Sequence, residues 1–208
     1  MDIEPPIGGH SAGRPSLTER HKAATRLEIA EAAFTLFATQ GVKDTTVAQI
    51  AEMAGVGTRT FHRHFTSKEE ALAPMLGKVL DEFVTAFNAR PLDEPLQQSL
   101  HAAKDQSTNT TRYRPDRLRH QYLLVISHPT LRPVWLEAHR HAEDQLGSAI
   151  AARTGQPAAA ANVRITAGAV ILALRITAEL WAESPGARAN TTTIFDECLE
   201  SMAAGSGL

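Results

Sequence analysis

The sequence predicts an all-α protein: an N-terminal three-helix unit built around a helix-turn-helix, then a C-terminal helical bundle, about nine helices in all. Three observations carry this. Apolar residues recur at helical spacing, as in Ile29, Ala33, Leu36 and Phe37, and no stretch alternates as a strand would. A Ser or Thr stands three positions ahead of a Glu or Gln at Ser16/Glu19, Thr46/Gln49 and Ser67/Glu70, the spacing of a capping box. Proline or glycine marks most joints between the periodic runs, at Pro115, Pro129, Gly155-Gln156-Pro157 and Pro185-Gly186.

Taken in order, residues 1–13 hold two prolines and three glycines with little apolar pattern, which predicts a disordered tail. The first helix opens at the Ser16 cap and stops at Gly41. The Thr46 cap opens a short helix that ends at Met53 or Ala54. Gly55-Val56-Gly57 makes a tight turn, and a third helix follows over Thr58–His64. The Ser67 cap starts a long helix over 67–88. Five further helices are expected over 94–107, 115–127, 131–154, 158–183 and 187–203. The division this suggests is a DNA-binding unit over 14–66 and a second unit over 67–208.

Bulk properties narrow the class. Hydrophobic residues make up 43% of the 208 and charged ones 21%, as in ordinary globular proteins. The single Cys198 excludes an internal disulfide framework and fits a reducing cytoplasm, and no basic start precedes an apolar run as in an export signal. The most apolar segment, 163–181, carries Arg164, Arg175 and Glu179, so it reads as a buried helix and not a membrane span. Net charge is −2, yet residues 14–68 hold eight Lys/Arg against five Asp/Glu. A local basic excess matters more for phosphate contact than the overall balance.

The segment Val47-Ala48-Gln49-Ile50-Ala51-Glu52-Met53-Ala54-Gly55-Val56 has what a helix-turn-helix needs. Ala51 is small where the two helices touch, and Gly55 accepts a left-handed turn. Val47, Ile50, Ala54, Val56 and Phe61 form the apolar set that locks the angle. The remaining face of the third helix carries Thr58, Arg59, Thr60, His62 and Arg63, suited to base edges and phosphates. An ordinary helical hairpin with a glycine turn is the other reading of these residues alone.

From Gly13 to about Leu72 the sequence resembles the tetracycline-repressor (TetR) family of bacterial regulators. Arg26 through Phe37 looks like its first helix, Gly41 and Thr46-Val47 its joint to the second, and Ile50-Ala51 through Ala54-Gly55-Val56 its second helix and turn. Thr60-Phe61 and Phe65-Thr66-Ser67-Lys68-Glu69-Glu70-Ala71-Leu72 match its third helix and the start of the fourth. The resemblance implies that Thr58 through His64, including His64 itself, form a recognition helix for the major groove. It also implies that Thr46 and Lys68 meet phosphates. Two positions depart from the family pattern: His62 stands where a phosphate-contacting tyrosine is usual, and Arg59 where glycine is common. Arg14, in Gly13-Arg14-Pro15, resembles a minor-groove arm, and a solvated tail residue is the alternative.

The resemblance further implies a homodimer through the last two helices, bound to a near-palindromic double-stranded operator as a repressor. Ala167, Ala169, Val170, Ala173, Leu174, Thr177 and Ala178 form a small apolar face fit for such contact, with Phe195, Leu199 and Met202 on the last helix. The same residues also suit the core of a monomer. Arg132-Pro133-Val134-Trp135-Leu136-Glu137-Ala138-His139 looks like the ligand domain of the mycofactocin-regulator type, which implies an apolar or acyl-CoA-like effector. Phe83, Phe87, Tyr122, Trp135 and His139 are the pocket candidates, with plain core as their alternative. Arg112, Arg114, Arg117 and Arg119 would suit an anionic ligand group or a solvated helix start.

No cofactor is implied. A metal-dependent enzyme is the rival class because of the nine histidines. However, His62/His64 and His139/His141 are i, i+2 pairs that point to different helix faces, and no HExxH, P-loop or nucleophile elbow occurs. A helical ligand-binding protein without DNA contact is the second rival.

Overall fold

The computed structural model describes residues 16–110, 115–184 and 190–204. Among them nine α-helices follow one another without a strand: α1 (Leu17–Gln40), α2 (Val47–Met53), α3 (Thr58–His64), α4 (Ala73–Asn88), α5 (Leu96–Thr110), α6 (Pro115–Ser127), α7 (Arg132–Thr154), α8 (Ala161–Glu183) and α9 (Thr191–Ala203). The tail over 1–13 and Arg14 lie outside the described residues.

Local chemistry sets the boundaries of the first three helices. Ser16 Oγ accepts the Glu19 N–H at 3.1 Å, and Gly41 ends α1 at φ +89°, its N–H donating to Phe37 O. At Thr46 the capping box is complete, with Gln49 N–H on Thr46 Oγ1 and Thr46 N–H on Gln49 Oε1. Gly55 takes φ +66°, which lets its own N–H reach Glu52 O and the Val56 N–H reach Ala51 O.

The expected helix over 67–88 is two elements. A single 3-10 turn over Glu70–Leu72 precedes α4, because Pro74 lacks an N–H and is tolerated only in a helix's first turn. The third capping box is half made: Ser67 Oγ accepts the Glu70 N–H, but the Glu70 carboxylate turns back to Thr66, accepting from its N–H at 2.7 Å and its hydroxyl at 2.6 Å. Those bonds hold the Glu70 carboxyl below its usual range, although burial acts against them. α8 starts at Ala161, not 158, since the Ala160 N–H closes a turn on Pro157 O.

Two apolar clusters form the core. One joins α1, α2 and α3 through Ile29, Phe37, Ile50 and Phe61, then continues through Leu72 and Leu76 to Leu131 and Trp135. The other gathers the later part of α4 with α5, α7, α8 and α9 around Phe83, Phe87, Leu146, Val170 and Phe195. Helix α4 belongs to both. By length and composition alone α8 is apolar enough to cross a membrane, but it packs on α6, α7 and α9 with Val163, Ala167, Val170 and Leu174 in the core.

That packing relocates the face proposed for dimer contact. Ala167, Val170, Ala173, Leu174 and Thr177 are buried within the chain itself, as is Phe195, with Leu199 and Met202 packed on the same cluster. The apolar side chains that α8 leaves in solvent are Ile165, Leu172 and Leu180.

Candidate nucleic-acid interface and effector cavity

Helix α3 is anchored through Phe61, which is fully buried and meets the Phe65 ring at 5.6 Å. With that side inward, Thr58, Arg59, His62 and Arg63 are exposed and Thr60 is half-buried, so one face of α3 offers two guanidiniums, an imidazole and two hydroxyls. Arg59 and Arg63 have no hydrogen bond or ion pair among the described residues. His64 is apart from this face. Its Nδ1 is buried without a partner, and burial together with Arg63, Arg26 and Lys22 lowers its pKa, so it is neutral.

Two long-range contacts hold this unit in shape. Arg26, 38 residues before His64, donates from Nη1 to His64 O at 2.7 Å, with its guanidinium 4.4 Å from the centre of the Phe65 ring. Lys68 places Nζ on Val42 O at 2.6 Å, Thr45 O at 2.7 Å and Lys43 O at 3.4 Å. The ammonium expected to meet a phosphate thus clamps the α1–α2 loop, up to the residue just ahead of the Thr46 cap. Thr46 is exposed, but its N–H is taken by Gln49 Oε1 at 2.8 Å.

The expected result for Lys68→Met follows from that geometry. Charge-assisted bonds to carbonyls contribute about 1.5–3 kcal/mol, so chemical unfolding should show a loss of that order. The slope of log affinity against log salt should stay unchanged. A slope smaller by about one unit with stability intact would return Lys68 to the phosphate backbone.

Behind this unit, a cavity of about 310 Å3 opens between α4, α5, α6, α7, α8 and α9. Of the pocket candidates, Phe83, Tyr122, Trp135 and His139 line it. Phe87 does not: it lies one turn beyond Phe83, buried in the second cluster with the Arg153 guanidinium 5.3 Å from its ring centre. Phe195 backs Phe83 edge-on at 6.0 Å. The aromatic part of the wall is continuous, Tyr122 meeting Trp181 at 6.2 Å and Trp135 at 6.4 Å, and Trp135 meeting His139 at 4.9 Å.

His139 sits in this wall as a neutral imidazole. Burial above all pushes its pKa down to about 4, against a hydrogen bond of 2.8 Å between Nδ1 and Trp135 O. With the Nδ1–H donated to that carbonyl, Nε2 is left as an acceptor. Sequence reasoning missed Trp181 and a polar patch of Lys104, Ser107, Thr108 and Thr191 in the same wall. Lys104 and Thr191 are 87 positions apart, and no local pattern connects them.

Of the arginine cluster, the two described members, Arg117 and Arg119, do not line the cavity. Arg112 and Arg114 lie outside the described residues. Arg117 reaches α1, with Glu31 at 3.9 Å and the Phe34 ring centre at 5.8 Å. Arg119 donates to Ala182 O at 2.8 Å, at the end of α8.

Comparison with known proteins gives this geometry a context. Residues 29–73 match the model for bacterial regulatory proteins of the tetR family, and residues 94–207 match that for the MftR C-terminal domain. The chain is similar to the HTH-type transcriptional regulator TcmR of Streptomyces glaucescens, at 43% identity over 84 residues, 40% of this chain and 37% of that protein. It is also similar to the HTH-type transcriptional repressor KstR2 of Rhodococcus jostii, at 30% over 107 residues, 48% of this chain and 52% of the repressor. The chain therefore spans between about a third and a half of the curated relatives it matches. Among solved structures, Thermus thermophilus FadR in complex with lauroyl-CoA shares the fold, with a TM-score of 0.54 at 20% identity over 88% of this chain and 95% of that one.

Proposed function

The chain belongs to the tetR family of bacterial regulatory proteins, its C-terminal part being of the MftR C-terminal type, and from that premise we propose that it is a DNA-binding transcriptional repressor which a small molecule releases from its operator. It acts in the cytoplasm, as a binding protein and not an enzyme. The observation that carries this reading is a shared core. Leu76 and Trp135 line the cavity and belong to the same cluster as Ile50 and Phe61, which seat the exposed face of α3. A molecule in the cavity therefore touches the packing that positions the recognition helix.

The operator is near-palindromic, because the repressor works as a homodimer and a two-fold dimer imposes its symmetry on DNA. One seven-residue α3 contacts too little DNA for tight, specific binding. The dimer contact runs along α8 and α9, where Ile165, Leu172 and Leu180 give α8 an exposed apolar stripe. Thr58, Arg59, Thr60, His62 and Arg63 face the major groove, with Arg14 as a minor-groove arm and the Thr46 end of α2 on the flanking backbone. The effector is largely apolar, in keeping with the wall of Phe83, Tyr122, Trp135 and Trp181.

The test pairs two measurements. Sedimentation at micromolar concentration should give a dimer, and gel-shift with the DNA upstream of the protein's own gene should give a complex that random DNA does not displace. A monomer that binds no DNA better than random would overturn the reading.

A further inference from the structure

Lys104 is 9% exposed and stands in the wall of an otherwise largely apolar cavity. Its Nζ donates to Thr108 Oγ1 at 3.0 Å and to Thr191 Oγ1 at 3.1 Å. Both acceptors are neutral hydroxyls, and among the described residues no carboxylate lies within ion-pair distance of Nζ. Asp105 acts on it only through space, against burial that lowers its pKa to about 8. At pH 7 it is still mainly an ammonium ion. A buried ammonium without a counter-ion is an unfavourable arrangement unless something else completes it.

We propose that the effector is a compact amphipathic monocarboxylic acid, its carboxylate paired with Lys104 beside the Thr108 and Thr191 hydroxyls and its apolar body against Tyr122, Trp135 and Trp181. The inference rests on the effector cavity of the proposed function and names its ligand class. Charge selects the head group. One ammonium neutralises one carboxylate, whereas a phosphate monoester dianion leaves a buried charge over. Size and charge together disfavour an acyl-CoA as the cavity's occupant. At about 310 Å3 the cavity is at the low end of small-molecule sites. With only its acyl chain in the cavity, an acyl-CoA would set a neutral thioester carbonyl, and not a carboxylate, beside Lys104. His139, neutral with Nε2 free to accept, suits a hydroxyl or amide donor on the ligand body.

Calorimetric titration of the full chain tests this with medium-chain aliphatic and aryl-alkanoic monocarboxylates, each beside its methyl ester, and with the matching CoA thioesters. At least one acid should bind, roughly ten- to a hundredfold more tightly than its ester. Lys104→Met should bring acid and ester to equal affinity while keeping the thermal midpoint, since it removes a charge that lacks a counter-ion. Three results would overturn the proposal: no acid binding, acid and ester binding wild type equally, or Lys104→Met keeping the preference for the acid. The acid–ester comparison on wild type needs no variant and stands even if Lys104→Met folds poorly. Ligand-free operator binding separates the two readings: if it persists while no acid binds, only the ligand class fails.

Discussion

Arg59→Ala should lower operator affinity by between roughly thirtyfold and twenty-thousandfold. A good side-chain contact to a base is worth about 1–3 kcal/mol of discrimination, and a two-fold dimer loses two of them. The structure makes Arg59 the strongest candidate for such a contact. It is exposed in the first turn of α3, on the side away from the buried Phe61, and no internal partner must be broken before it reaches DNA. Thr60, half-buried beside it, should lose less on conversion to alanine. Fluorescence anisotropy at one fixed salt concentration, with operator and random duplexes, separates the roles. A loss confined to the operator assigns Arg59 to base readout. Equal loss on both duplexes would assign it to the phosphate backbone.

The helix-turn-helix was legible in the sequence because its determinants are local. Thr46 and Gln49 satisfy each other across three positions, and the Gly55 turn at φ +66° is the left-handed conformation that glycine adopts without strain. Contacts between distant positions left no such mark. Nothing near Arg26 announces that it will bond His64 O, nor near Lys68 that three loop carbonyls await it. Phe83 and Phe87 look equivalent at i and i+4, yet one helical turn, about 5.4 Å, carries Phe87 past the end of the cavity. The small face of α8 misled for another reason. Alanines at helical spacing specify close packing without specifying whether the partner is the same chain or a second one, and α8 uses that face on its own core.

The largest effect on stability is expected at Trp135, and the same residue tests how a ligand signal reaches α3. The indole is 1% exposed and joins the first core cluster to the cavity wall. Trp135→Ala should cost about 3–5 kcal/mol, a large part of a typical domain's stability, and denaturant unfolding would show it. The milder Trp135→Phe keeps an aromatic ring against Tyr122 and His139 but shortens its reach. For this variant, ligand-free operator binding should stay within about threefold of wild type, under ~1 kcal/mol. The factor by which effector weakens operator binding, typically about 5–150-fold in coupled systems, should shrink toward one. The measurement is operator affinity with and without a saturating cavity ligand for both proteins. Unchanged coupling would move the route to α6, where Arg117 faces Glu31 of α1 at 3.9 Å. That pair is half-exposed and worth little by itself, which is why the buried indole is the stronger candidate.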